Sequence, residues 1–244
     1  MMRKANVMKT WVFETQQKAA SYAVETIENI LTEKPDAVFC LAAGHTSIPI
    51  FNALAEKELD FSKARFIGLD EWVGVPKSQK GSCAYFLNEH FFSRISVKKE
   101  NVVLFDAMAE NLEQECTRME EQIKRWGGID YLLLGMGMNG HLALNEPGDD
   151  FERTAHVTEL SQTTLLVAPK YFSQEMPPIV SGITLGIGTM RKARRIQLAV
   201  FGSHKREGVA HLQSLSTPDL GFPATALYLV KEAELLLDQE AAGV

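Results

Sequence analysis

The stretch Ile129-Asp130-Tyr131-Leu132-Leu133-Leu134 runs straight into Gly135-Met136-Gly137-Met138-Asn139-Gly140-His141-Leu142-Ala143-Leu144-Asn145-Glu146-Pro147. The first part is a short apolar run, the pattern of a strand buried on both faces. The second is a glycine-rich loop carrying polar side chains. The same transition recurs on either side of it. Residues 37–42 (AVFCLA) lead into Ala43-Gly44-His45-Thr46-Ser47, residues 65–69 (RFIGL) into Asp70-Glu71-Trp72, and residues 196–201 (IQLAVF) into Gly202-Ser203-His204-Lys205. Between these runs the pattern changes to a helical period. Residues 17–31 put Ala20, Ala23, Val24, Ile27, Ile30 and Leu31 on one face, and residues 46–57, 81–92, 111–126 and 205–215 also read as helices. Short strands are expected at 102–105 and, as strand or short helix, at 182–185. Residues 226–230 and 234–237 read as two final strands or as a strand and a helix. Apolar strands alternating with amphipathic helices imply parallel pairing through helical crossovers. The expected fold is a doubly wound α/β domain, a mostly parallel sheet with helices on both faces, spanning residues 1–244 as a single unit. No repeat or linker divides it, and Pro177-Pro178 marks a loop. Such sheets bind ligands beyond the carboxyl ends of their strands.

The chain has 244 residues, 25 Lys and Arg against 31 Asp and Glu, and a formal net charge of −6. With no dense basic face, nucleic acid and anionic membranes are excluded as partners. Hydrophobic residues at 45% and charged residues at 23% are ordinary globular usage, which argues against disorder. No apolar run reaches the roughly 18 residues of a membrane helix, and the opening MMRKANVMKTWVF has no apolar core of a secretory signal. Cys40, Cys83 and Cys116 are odd in number and far apart, which excludes a disulfide framework or a zinc ribbon and points to the reducing cytoplasm. The histidines and cysteines show no close ligand spacing, so neither a metal nor a cofactor is expected.

Four strand ends therefore carry the chemistry. Gly44 followed by Thr46 and Ser47 at a helix start offers free N–H groups and a favourable dipole to a phosphate; the alternative is that a hydroxyl caps the helix. Asp70 and Glu71, adjacent carboxylates at a buried strand's end, are either a base and its neighbour or a salt-bridge partner beside a solvated acid. Gly135-x-Gly137-x-x-Gly140 has the form of a dinucleotide fingerprint, but that motif needs a helix after its third glycine, and Pro147 halts any helix within two turns. What remains is a loop that gathers Asn139, His141, Asn145 and Glu146, with a histidine suited to proton transfer near neutral pH and a carboxylate to polarise it. His141 read by itself is better taken as a hydrogen-bonded loop histidine. Ser203 and Lys205 either clamp a phosphate or cap and solvate a helix start. The basic run Arg191-Lys192-Ala193-Arg194-Arg195 reads as a solvated helix end.

Taken together, LAAGHTS, LDEWVGVP, GMGMNGHLALNEPG and LAVFGSHK resemble, in order, the glucosamine-6-phosphate deaminase/isomerase family, from about Lys34 to about Val230. LDEWV and KPDAVFCLAAG look most like its galactosamine-6-phosphate branch. The resemblance implies aldose–ketose isomerisation of an amino sugar 6-phosphate with loss of ammonia, without metal or cofactor. It implies that Asp70 is the base moving a proton between C2 and C1, that His141 opens the sugar ring with Glu146 and Asn139 as helpers, and that Gly44, His45, Thr46 and Lys205 bind the phosphate. Departures from the family pattern are Asn139 where some members carry Asp, Lys170 where many carry Arg, His45 for a small residue and Ser47 for Pro. Lys170 keeps the charge without the planar fork, and the stretch 169–178 is expected to be a mobile loop that closes over the sugar. A short C-terminal end implies no allosteric activation. A homo-oligomer stands among the expected partners beside the sugar phosphate. The rival readings are a 6-phosphogluconolactonase-type hydrolase, which needs no carboxylate after the histidine, a non-catalytic sugar-phosphate sensor, which needs only the phosphate clamp, and an NAD-dependent dehydrogenase.

Overall fold

The computed structural model describes residues 8–172 and 176–244. The opening residues 1–7 and part of the 169–178 loop, both read above, lie outside the described residues. In chain order the elements are β1 (Lys9–Phe13), α1 (Gln16–Glu33), β2 (Val38–Leu41), α2 (Ile48–Glu56), β3 (Arg65–Gly68), β4 (Asp70–Trp72), α3 (Cys83–His90), β5 (Val102–Val103), α4 (Leu112–Arg125), β6 (Tyr131–Gly135), β7 (His156–Glu159), α5 (Gln162–Val167), β8 (Ser181–Thr184), α6 (Ile187–Met190), β9 (Arg195–Val200), α7 (Arg206–Ser214), β10 (Ala233–Asp238) and α8 (Gln239–Ala242). Seven strands form one parallel sheet in the order β1-β10-β9-β6-β2-β3-β5. Because β1 pairs with β10, the two ends of the described chain meet in that sheet.

Alternate residues of the strands feed two cores. Val38 and Cys40 of β2 face one side with Cys116, Met119 and Ile123 of α4 and Val209 and Leu212 of α7. Phe39 and Leu41 face the other side with the apolar stripe of α1 and with Ile50, Phe51 and Leu54 of α2. The helices thus cover both faces, as the double-sided apolar runs demand. On the second side Phe39, Phe51, Phe61, Phe66 and Phe91 are all within 1% of full burial and their rings pack edge-on or stacked. Truncating one such ring to Ala costs about 3–5 kcal/mol. Local signals set the helix starts. Thr15 accepts from the Lys18 amide at the head of α1, and Asn111 accepts from the Gln114 amide at the head of α4. The acids Glu113 and Glu115 in the first turn of α4 and Lys124 and Arg125 in its last turn match its dipole.

Three differences from the sequence reading matter. A second, antiparallel sheet, β4-β8-β7, sits beyond the end of β3. Its middle strand is the 182–185 segment, which is strand and not helix. Residues 226–230 are not a strand: 226–229 lie in a 3₁₀ helix, Pro223–Leu229, with proline at its first turn and Val230 just past its end, and β10 alone completes the sheet. The arginines of the basic run 191–195 are paired, Arg191 with Glu152, Arg194 with Asp130 and Arg195 with Glu234, while Lys192 and Arg194 remain exposed.

Candidate active site

The sheet order reverses between β2 and β6. From β2 the chain builds outward to β3 and β5, then returns to lay β6 on the other side of β2 and continues to β9 and β10. Crevices form at such a switch point because the flanking crossovers leave on opposite faces. A cavity of about 430 Å³ opens there, a size suited to a small-molecule ligand. Gly44, His45 and Thr46 after β2, Asp70 after β3, His141 after β6, Lys205 after β9, and Lys170 all line it. Asn139 and Glu146 stand behind its wall.

Asp70 begins β4, so the small antiparallel sheet fixes its backbone, through pairing of Asp70 with Thr184. Burial, followed by the neighbouring Glu71 charge, pushes its carboxyl up to about 7, with the Cys83 thiol opposing the rise. An aspartate with that value is a much stronger base than a free one, and it is poised near neutral pH. Glu71 is neither a second base nor solvated. It is 1% exposed, and its oxygens accept from the amides of Trp72, Cys83 and Ala84 at 3.0, 2.8 and 2.9 Å. It caps the head of α3 and anchors the strand that carries Asp70. Burial raises its carboxyl too, against the pull of those amides.

The glycine-rich loop is built around His141. A Cβ on Gly137 would lie 2.3 Å from the His141 ring, so the ring occupies the space a side chain would fill. Gly140 takes φ +80°, a left-handed turn, with Phe222 packed beneath it. The fingerprint glycines therefore serve the histidine. Asn145 is fully buried and staples the loop, donating to the carbonyls of Leu142 and Leu185 and accepting from the Ile187 amide. Behind the ring, His141 Nδ1 lies 3.2 Å from Thr164 Oγ1 and 3.7 Å from Glu146 Oε2. Asn139 Nδ2 donates to Glu146 Oε2 at 2.9 Å and to Ser161 Oγ at 3.1 Å, and Asn139 Oδ1 accepts from the His141 amide. Glu146 can therefore act on a ligand only through His141, whereas the sequence alone allowed either to face it. Burial, and beyond it the Lys205 charge, lower the His141 pKa, with Glu146 opposing. Thr164 and Ser161 went unread in the sequence. An S-x-x-T helix start is a capping signal, and only tertiary structure brings it to the histidine.

The other end of the cavity is cationic. Gly44 leads into a 3₁₀ turn, His45–Ser47, before α2 begins. Ser47 does not cap α2: its hydroxyl donates to the Ala42 carbonyl at 2.8 Å and folds the turn back on its strand. Lys205 Nζ donates to the Met136 carbonyl at 2.7 Å. Burial and then the nearby Lys170 charge lower the Lys205 pKa to about 8. Two lysines bordering one cavity make its pole a suitable seat for an anion. Lys170 is not on an irregular loop. It belongs to a 3₁₀ helix, Ala168–Tyr171, that continues α5, and its flanks Ala168 and Phe172 pack with Trp72, Val75, Leu144 and Ile179. It already lines the cavity in this conformation. Among the described residues no group of three or more His, Cys, Asp or Glu is arranged to hold a metal ion. No helix among them is long and apolar enough to cross a membrane.

A strand-end crevice with a half-buried aspartate, a shielded histidine and a cationic pole defines a class of sugar-phosphate enzymes on the doubly wound fold. Residues 12–236 match the family model described as glucosamine-6-phosphate isomerases/6-phosphogluconolactonase, and the chain belongs to that family. It is 34% identical to glucosamine-6-phosphate deaminase of Thermoanaerobacter sp. over 97% of this chain and 95% of that one. It is 37% identical to glucosamine-6-phosphate deaminase of Bacillus velezensis over 94% and 95%. A solved structure of a monomeric glucosamine-6-phosphate deaminase superposes with a TM-score of 0.92 at 32% identity, covering 97% of this chain and 99% of that chain. A 6-phosphogluconolactonase from Thermotoga maritima superposes with a TM-score of 0.74 at 25% identity, covering 94% and 98%.

Proposed function

We propose that the protein is an amino sugar 6-phosphate deaminase and isomerase, with the whole chain, 1–244, as its catalytic domain. A closed sugar ring has no carbonyl, so its C2 proton is not acidic until the ring opens. Two proton-transfer stations are needed, one to open the ring and one to work at C2. The carrying observation is that the cavity holds two such stations on separate elements, His141 backed by Glu146 and Asp70 on β4. In this reading His141 moves a proton from O1 to O5, breaking C1–O5. Asp70 then takes the C2 proton and delivers it to C1. Water hydrolyses the resulting imine to a ketose 6-phosphate and ammonia. Protons move and an imine is hydrolysed, so the chemistry calls on no redox cofactor or metal. Gly44, His45, Thr46, Lys205 and Lys170 hold the phosphate. Asn139, unable to take a proton, orients Glu146 and Ser161.

The names of the relatives quoted above favour a gluco substrate, and the LDEWV stretch with Trp72 favours a galacto one. Both are 2-amino sugar 6-phosphates. Ammonia release from glucosamine 6-phosphate and galactosamine 6-phosphate, run in parallel with hydrolysis of 6-phosphogluconolactone, tests the reading. Ammonia with an equal amount of ketose 6-phosphate supports it. Lactone hydrolysis without ammonia supports the hydrolase alternative instead, and binding without turnover supports a sensor. The site of action in this reading is the cytoplasm, where the charge of a phosphorylated sugar retains it. A homo-oligomer was the other expected partner. The solved relative is described as monomeric, and sedimentation of this chain reads its state directly.

A further inference from the structure

We propose that Thr164 sets the tautomer of His141, donating its hydroxyl proton to Nδ1 and leaving the ring proton on Nε2, the nitrogen free to meet a ligand. The inference deepens the ring-opening reading above and rests on it for its kinetic consequences, but not for the tautomer itself.

The argument is a count of protons and lone pairs. Ser161 Oγ accepts from Asn139 Nδ2 at 3.1 Å and from the Thr164 amide at 3.2 Å, which uses both its lone pairs. Its own proton is then donated to Thr164 Oγ1 at 3.2 Å. Thr164 is 3% exposed, and its hydroxyl proton needs an acceptor. His141 Nδ1, 3.2 Å away, is the remaining partner of that oxygen. Glu146 competes poorly for an Nδ1 proton. Its oxygens already accept from Asn139 Nδ2 at 2.9 Å and the Ser161 amide at 3.2 Å, and Nδ1 is 3.7 Å off. The chain Asn139 to Ser161 to Thr164 to His141 thus runs in one direction. It ends on the lone pair of Nδ1.

The charged groups facing His141 are Glu146 from its own loop and Lys205 from the turn after β9, and Lys205 with burial favours the neutral ring. A neutral imidazole with its proton on Nε2 is an electrophile that needs no prior protonation. Ring opening then balances at one atom: C1–O5 breaks, O5 takes the Nε2 proton, and the O1 proton refills Nε2. Thr164 borders the cavity, but its hydroxyl is engaged by Ser161 and His141 and acts on the reaction through the histidine, so it is a positioning residue. It also lies in α5, which continues into the 3₁₀ helix bearing Lys170, so one rigid piece carries the histidine's partner and a phosphate cation.

The test begins on the unmodified protein, uniformly labelled with ¹⁵N and without ligand. His141→Gln assigns the His141 ring signals. The expected result is a protonated Nε2 and an unprotonated Nδ1 near neutral pH. A protonated Nδ1 overturns the proposal, whatever the enzyme's substrate proves to be. Thr164→Val keeps the shape and removes the hydroxyl. It should lower kcat for the cyclic amino sugar about 10-fold with KM within about twofold. The acid limb of kcat should move to higher pH, because the neutral ring loses the donor to its Nδ1 while Glu146 still favours the imidazolium. Solvent exchange at C1 of the ketose 6-phosphate with ammonia present should change little, and Thr164→Ser should restore kcat and the limb. An unmoved limb, or equal losses in both assays, overturns the proposal. If the valine variant does not fold, the ring signals of wild type and Thr164→Ser still decide it.

Discussion

Glu234 and Asp130 at the amino ends of the parallel strands and Asp70 beyond a carboxyl end are treated in opposite ways. At the amino ends of β9 and β10, Glu234 is 3% exposed and accepts from Trp11 Nε1, Tyr22 Oη, Gln197 Nε2 and Arg195 at 3.0, 3.1, 2.9 and 2.7 Å. Its donors overcome burial and hold its carboxyl below the ordinary value. Asp130, before β6, is held the same way by Lys34, Arg194 and the Val38 amide. At the carboxyl ends Asp70 meets burial and a like charge with little to offset them, and rises to about 7. A buried acid given cations and donors is a fixed strut. One denied them keeps its affinity for a proton and is available for chemistry.

Swapping each acid for its amide should break the comparison along that line. Asp70→Asn should lower turnover by about a thousandfold or more while phosphate binding persists. It should also stabilise the fold. The raised carboxyl favours the folded state only while protonated, so its contribution is complete below about 4 and lost as pH rises through about 7. Above that range the variant should therefore gain about 2 kcal/mol, seen as a Tm difference that vanishes in acid. Glu234→Gln should do the reverse, costing about 1–2 kcal/mol by leaving Arg195 with only its longer contact to Glu232, with turnover nearly unchanged. Gly137→Ala should cost about a hundredfold in turnover on the cyclic substrate by displacing the His141 ring, with thermal unfolding as the control for global damage. Lys205→Ala should weaken binding of substrate and of inorganic phosphate alike by about 1.5–3 kcal/mol, and Lys170→Ala by less. The smallest effect is a proton. Because Lys205 titrates near 8, phosphate binding at about pH 8–9 should take up protons and favour its charged form. Calorimetry in buffers of differing ionisation enthalpy reads that uptake, and Lys205→Ala should remove it.

Much of this was legible in the sequence because a strand buried on both faces has no polar position to disguise it. AVFCLA, RFIGL, IDYLLL and IQLAVF announce themselves, and the residues just after them are the ones that line the cavity. β1 escaped notice because it is an edge strand with all of KTWVF exposed or half-buried. β7, HVTE, is short and largely polar, and the small sheet that orients Asp70 was invisible with it. Residues 226–230 have strand composition, yet Pro223 starts a 3₁₀ turn and packing keeps it. Asp70, His141 and Lys205 could be named from their strand ends. The relation of Thr164 to His141 is purely tertiary, and the ordered setting of Lys170 depends on packing around Phe172 that neighbouring residues do not encode.

The central claim is that Asp70 works at C2 while a separate histidine opens the ring. Proton NMR of the amino sugar 6-phosphate turning over in deuterium oxide tests it most directly. Wild-type protein should release ammonia and form a ketose 6-phosphate carrying solvent deuterium at C1. Asp70→Asn, with phosphate binding intact, should leave the C2 proton in place and form no product. Loss of the C2 proton at the wild-type rate in that variant would contradict the account.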